Sequence, residues 1–294
     1  MKPDPTQARR MLHWFGSGLG VAGILFVLLK LAQYREQIDL ARLGAEDWFV
    51  LLLLAIASGF SGLLLALGWR ALLQHHGVTI APAAAIRIYG ISQIAKYVPS
   101  NVVHLIGRQA LAVAENLPAW PVAKSTVWEL GVLLCAAALF VPLALPFVAP
   151  QWPQWLAALL FVACAMLAVL LVRRTLGTHA ATALCAYAGF LGVSSVSFCI
   201  VLLLLVPDAA LAPYALGVCG AYVLGWVAGF VTPGAPAGVG VREMALYFLL
   251  AAFVDQADLL AAVVLARMVS VSGDVLFYLG AVGTRRGINA GVTP

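Results

Sequence analysis

Trp48 to Trp69 reads WFVLLLLAIASGFSGLLLALGW, an apolar run without a single Asp, Glu, Lys or Arg. A helix of about 20 such residues matches the roughly 30 Å hydrocarbon core of a bilayer. Runs 155–172, 183–206 and 213–231 share that absence of charge. Four more lie around them: 14–31, 126–147, a short one at 240–254 that opens with Arg242 and Glu243, and 259–282, which carries Arg267 and Asp274. Together they predict an all-α polytopic membrane bundle of about eight transmembrane helices.

Composition supports this class. Hydrophobic residues are 63% of the 294 and charged residues 10%, against roughly 25% charged in an ordinary soluble domain. The whole of 1–294 therefore reads as one integral membrane domain, with no loop long enough for a soluble catalytic domain. Lys2, Arg9 and Arg10 precede an apolar run, Trp14 to Leu31, that is too long for a signal-peptide core and reads as the first span. Cys135, Cys164, Cys185, Cys199 and Cys219 each lie in an apolar stretch and read as small hydrophobes. No disulfide, metal site or cofactor is expected. His75-His76 lacks metal-ligand partners and reads as a headgroup-facing pair.

Basic residues set the orientation. With a cytoplasmic N-terminus and eight spans, the inside segments hold Lys2, Arg9, Arg10, Arg70, Arg87, Lys96, Arg108, Lys124, Arg173, Arg174, Arg285 and Arg286, while Glu36, Asp39, Glu46, Asp47, Asp208, Asp255 and Asp258 fall outside and only Arg35 and Arg42 sit on the wrong side. Both termini are thus expected in the cytoplasm, in the inner membrane. The net charge of +5 reflects that bias rather than a nucleic-acid partner. Trp14, Trp48, Trp69, Trp152 and Trp155 fall at run ends and read as interfacial anchors.

Two stretches break the pattern. Residues 83–117, AAAIRIYGISQIAKYVPSNVVHLIGRQALAVAENL, are too polar to span and too apolar for a solvated loop, and Pro99 interrupts them. Two short helices around that break suit the segment, either as a re-entrant hairpin or as an interfacial amphipathic pair. The hairpin is favoured because the turn lies in the middle. The second stretch, Thr232 to Glu243, reads TPGAPAGVGVRE. Its turn residues Pro233, Gly234, Pro236, Gly238 and Gly240 cannot satisfy their own backbone in lipid and must face protein or a water-filled cavity. The helix that follows would turn its N-terminus and Arg242 toward that cavity, an arrangement suited to an anion. Pro99 precedes Arg108, and Pro233 precedes Arg242, by the same spacing, which would fit a repeat of four spans.

Charged side chains within spans are costly and usually face a bundle interior. Glu129, Arg242, Glu243, Arg267 and Asp274 are such residues. Mutual neutralisation, with Glu129 and Asp274 each taking a cation of the 83–117 segment, stands beside ligand contact, which is favoured for Arg108 and Arg242. No nucleophile–base pairing, magnesium-binding aspartate cluster or P-loop is present.

The strings KYVPSNVVHLIGR (96–108) and TPGAPAGVGVRE (232–243), with Glu129 between and Arg267 after, resemble the lysylphosphatidylglycerol synthase transmembrane region, a flippase-like integral membrane family, over nearly the whole chain. Ser100 and Ala237 stand where glycine is frequent in that family. The resemblance implies re-entrant elements around a lipid-accessible cavity, without the aminoacyl-transfer domain of two-domain members. It also implies that Tyr97, Pro99, Asn101, Arg108, Glu129, the glycine-rich turn with Arg242 and Glu243, and Arg267 form the functional core, and Lys96 beside Tyr97 is a further substrate-binding candidate. The function expected is translocation of a lipid with an anionic head group, phospho- or polyprenyl-linked. Arg108, Arg242 and Arg267 would bind the phosphate, Glu129 and Glu243 would orient those arginines or bind a basic substituent, and Asp274 would complete the substrate site. Two alternatives are a membrane-embedded enzyme acting on a lipid phosphate and a non-transporting partner of a glycosyltransferase or lipid-synthesis enzyme. A homo-oligomer packed through small residues such as Gly59 and Gly62 is a further expectation.

Overall fold

The computed structural model describes residues 43–97, 103–206, 211–232 and 240–284. All the secondary structure among them is helical. Helices α1 (Ala45–His75), α2 (Pro82–Gln93) with a short 3-10 turn (Ile94–Tyr97), α3 (Val103–Ala114), α4 (Ala119–Ala138), α5 (Val141–Val148), α6 (Gln154–Thr175), α7 (Thr178–Leu205), α8 (Ala215–Val231), α9 (Val241–Leu250) and α10 (Gln256–Gly283) follow in that order. Five of these, α1, α4, α6, α7 and α10, are long and apolar enough to cross a membrane, and α8 is a shorter apolar helix. The expected run 14–31 lies outside the described residues, as do Trp14, Pro99, Asn101, Pro233, Gly234, Pro236 and Gly238.

Helices α1 and α7 form the centre, with α10 packed on both. Glycines set the closeness of these contacts. A Cβ on Gly273 would fall 2.5 Å from the Ser58 side chain, one on Gly62 would fall 2.6 Å from the Phe277 ring, and one on Gly68 would fall 2.6 Å from the Tyr187 ring. Gly59 and Gly62 thus serve contact between α1 and α10 of one chain, where the sequence reading gave them to contact between protomers. Among the described spans α6 is the least buried, with only Ala157 buried along its length. Its exposed Leu159, Met166 and Leu167 would be untenable in water as one continuous patch and suit contact with lipid. The long apolar helices fit a membrane-embedded protein.

Three local features differ from the sequence reading. Trp69 is fully buried, because α1 runs on to His75 and Arg70 is satisfied by the Ile80 carbonyl, 2.8 Å from its Nε. It is therefore a core residue and not an interfacial anchor, unlike the exposed Trp48 and Trp155. The expected span 126–147 is two helices, α4 and α5, since Pro142 has no N–H to donate to the preceding turn and its ring crowds the carbonyl four residues back. Helix α4 instead starts early, at Ala119, so Glu129 sits at its middle rather than near its start.

Helices α2 and α3 are 12 residues each, about 18 Å at a helical rise of roughly 1.5 Å per residue, and neither could cross a bilayer. They pack against each other and run antiparallel. Arg87 at the middle of α2 pairs with Glu115 just beyond the end of α3 at 2.6 Å, while Ser92 and Arg108 meet further along. This pair leans on α1, α4 and α10. Asn116 closes it from the left-handed region, φ 63°, a conformation that asparagine tolerates better than most residues. Helix α9 has 10 residues, roughly 15 Å long, and packs on α8.

Candidate functional site

Two polar clusters lie within this apolar bundle. The first is closed. Arg108 of α3 is ion-paired with Glu129 of α4, and both side chains are almost wholly shielded from solvent. Tyr89 of α2 donates from its hydroxyl to Glu129 Oε1 at 2.7 Å, and its ring lies 3.7 Å beneath the Arg108 guanidinium. Trp69 stands on another side of the guanidinium and donates from Nε1 to Ser125 Oγ at 3.1 Å. A buried charge with its counter-charge, hydrogen bonds and aromatic faces in place needs nothing further. Arg108 and Glu129 thus fulfil the pairing alternative of the sequence reading, and here the arginine is not turned toward an open site.

The second cluster lies where the 3-10 turn, α9 and α10 meet. Asp274 accepts from Lys96 at 2.7 Å and from the Tyr97 hydroxyl. That joins the end of the α2 segment to α10, and Ile94 and Tyr97 pack there on Val271, Val275 and Tyr278. Arg267 Nε donates to Glu243 Oε1 at 2.9 Å. Its Nη2 is also 2.6 Å from that oxygen but poorly aligned for a hydrogen bond, so the Nε contact defines the geometry. The other carboxylate oxygen of Glu243 accepts from the Gly240 amide at 2.7 Å. Gly240 has φ 86°, a backbone that glycine adopts without strain. Glu243 thereby caps its own helix and orients Arg267. The start of α9 is consequently not an open anion cradle, and attraction of an anion there falls to Arg242.

Arg242 is different from the other cations. Its guanidinium lies 4.2 Å from the centroid of the Tyr222 ring. Its Nε is buried without a hydrogen-bond acceptor, and it has no carboxylate partner among the described residues. Both Arg242 and Arg267 are close enough to Tyr97 to act on it electrostatically. The cluster therefore holds Lys96, Arg242 and Arg267 against Asp274 and Glu243, three cations to two carboxylates, an excess of one positive charge.

The sequence reading thus named eight side chains that the structure describes and that fall into two groups, Arg108 with Glu129, and Lys96, Tyr97, Arg242, Glu243, Arg267 and Asp274 together. It missed Tyr89, Ser92, Trp69 and Tyr222. A signal for part of this set was present, since Tyr89, Ser92 or Gln93, and Lys96 recur at helical spacing and define one polar face. The equal Pro–Arg spacing does not give equal positions, because Arg108 is the sixth residue of α3 and Arg242 the second of α9. At the C-terminal end of α1, His75 and His76 pack on Trp128, with ring centroids 4.9 and 5.6 Å away. Burial, with His75 and Lys124 nearby, lowers the pKa of His76. No group of three metal-ligating side chains occurs among the described residues.

No family model, curated protein or solved structure matches the chain.

Proposed function

We propose that this chain is a lipid translocase of the inner membrane, with cytoplasmic termini, which carries a lipid with an anionic head group between leaflets. The observation that carries this reading is Arg242, a cation at the start of a helix too short to span, with no carboxylate partner among the described residues and with a second arginine, Arg267, bound to the neighbouring Glu243. Such a charge is costly next to hydrocarbon, and a phosphate would offset that cost with charge-assisted hydrogen bonds. The α2–α3 pair, taken as a re-entrant hairpin, supplies the movable wall. It touches the site through Lys96 and Tyr97, whose hold on Asp274 is polar and can be exchanged for water or ligand. The resemblance to flippase-like proteins points the same way.

The reading of a membrane-embedded enzyme is weaker on the same geometry. Its best carboxylate, Glu129, is already occupied by Arg108 and Tyr89. The test is movement of a fluorescent anionic phospholipid across reconstituted vesicles. Protein-dependent movement that exceeds that of a phosphatidylcholine analogue supports the proposal, and equal background rates for both refute it.

A further inference from the structure

A second polar feature lies beside Arg242, formed by residues that none of the motifs includes. Ser58 of α1, Ser194 and Ser197 of α7, Ser270 of α10 and Tyr222 of α8 line one small recess, with room for about a single water-sized group. Four helices contribute to it, each from its interior. The recess sits at the tight crossing of α1 and α10, where Gly273 meets Ser58. It adjoins the charged cluster at two points. The Tyr222 ring that lines it carries the Arg242 guanidinium, and Ser270 lies one helical turn beyond Arg267.

The hydrogen bonds limit what the recess would take. Ser270 Oγ donates to the Arg267 carbonyl at 3.0 Å, and Ser197 Oγ donates to the Val193 carbonyl at 2.8 Å. A hydroxyl whose proton is committed offers only lone pairs to its surroundings. The recess therefore favours a group that can donate. A metal cation would also seek oxygen lone pairs, but the excess positive charge of the neighbouring arginines opposes it. An ammonium head group meets the same repulsion. A neutral hydroxyl meets none.

We infer that the serine recess is a specificity subsite for a free hydroxyl on the head group of the lipid whose phosphate binds Arg242. This rests on the anionic-lipid reading and narrows it to phosphodiester lipids with glycerol-like or sugar head groups. A hydroxyl adjacent to the phosphate enters between Ser58 and Ser270, donates to one of the committed serines and accepts from a free one.

Phosphatidylmethanol carries the same phosphodiester charge as phosphatidylglycerol and has no hydroxyl, so the two isolate the recess. Purified full-length protein in detergent would be titrated with each, and with phosphatidylcholine as a control, by native mass spectrometry. Wild type should bind phosphatidylglycerol at least tenfold more tightly than phosphatidylmethanol. Ser58→Ala/Ser270→Ala should bring that ratio close to one while leaving phosphatidylmethanol binding and the melting temperature unchanged. Should that pair melt early, Ser194→Ala/Ser197→Ala gives an independent test with the same expectation. A wild-type ratio near one, or a ratio unaffected in a stable serine variant, overturns the subsite and leaves the anionic-lipid reading standing. Binding of both anionic lipids no tighter than phosphatidylcholine refutes the anionic-lipid reading and this subsite with it.

Discussion

Arg108 and Glu129 form an ion pair between α3 and α4 with scarcely any solvent exposure on either side chain. It ties one arm of the α2–α3 pair to the body of the bundle, while the other arm is tied by Lys96 and Tyr97 to Asp274 on α10. The two attachments differ in kind, one buried and complete, the other half-open.

The buried attachment should behave as a structural unit. Removing one member of a buried pair strands the other charge, at a cost of about 3–5 kcal/mol, whereas replacing both with apolar residues of similar volume is often neutral. Glu129→Leu and Arg108→Met should each lower the melting temperature in detergent sharply. The double variant should recover most of the loss, leaving a large coupling energy in the double-mutant cycle.

The half-open attachment should respond unequally. Asp274 serves two partners and Lys96 only one. Asp274→Ala leaves the Tyr97 hydroxyl and the ammonium without their acceptor and should cost about 1–3 kcal/mol. Lys96→Met, at a partly exposed position, should cost about 1 kcal/mol or less. Thermal unfolding of the two variants checks the order.

Glycine positions give a contrast that is independent of charge. A Cβ on Gly220 would lie 2.6 Å from the backbone nitrogen of Ala144, whereas one on Gly131 meets nothing within 4 Å. Backbone cannot move aside as a flexible side chain can, so Gly220→Ala should destabilise by about 1–3 kcal/mol. Gly131→Ala, within α4, should be neutral or stabilising by up to roughly 1 kcal/mol, as expected for alanine over glycine in a helix. Unfolding of both variants in the same detergent measures the difference.

Much of this organisation is visible in sequence. Uncharged runs announce α1, α6, α7 and α8, because nothing but a bilayer or a deep core calls for them. The mixed polarity of 83–117 announces short helices in place of a span, and α2 and α3 are 12 residues each, while the turn residues Pro99, Pro233, Gly234, Pro236 and Gly238 lie outside the described residues. What stays hidden depends on relations across the chain. Hydropathy marked Trp69 as the end of a span, and only the Arg70–Ile80 contact explains why the helix continues past it. The choice of Glu129 for Arg108 and Glu243 for Arg267 follows from packing and not from spacing. The serine recess is more hidden still, since Ser58, Ser194 and Ser270 are unremarkable singly and matter only where four helices cross.

The central claim is that Arg242 holds the lipid phosphate, and translocation in sealed vesicles tests it most directly. Wild type, Arg242→Ala and Arg242→Lys would be reconstituted at equal density and the movement of a fluorescent phosphatidylglycerol followed. The account predicts that Arg242→Ala slows movement at least tenfold while its melting temperature stays within a few degrees of wild type, and that Arg242→Lys retains part of the rate because the charge survives without the fork of donors. Wild-type rates in a folded Arg242→Ala protein would contradict it.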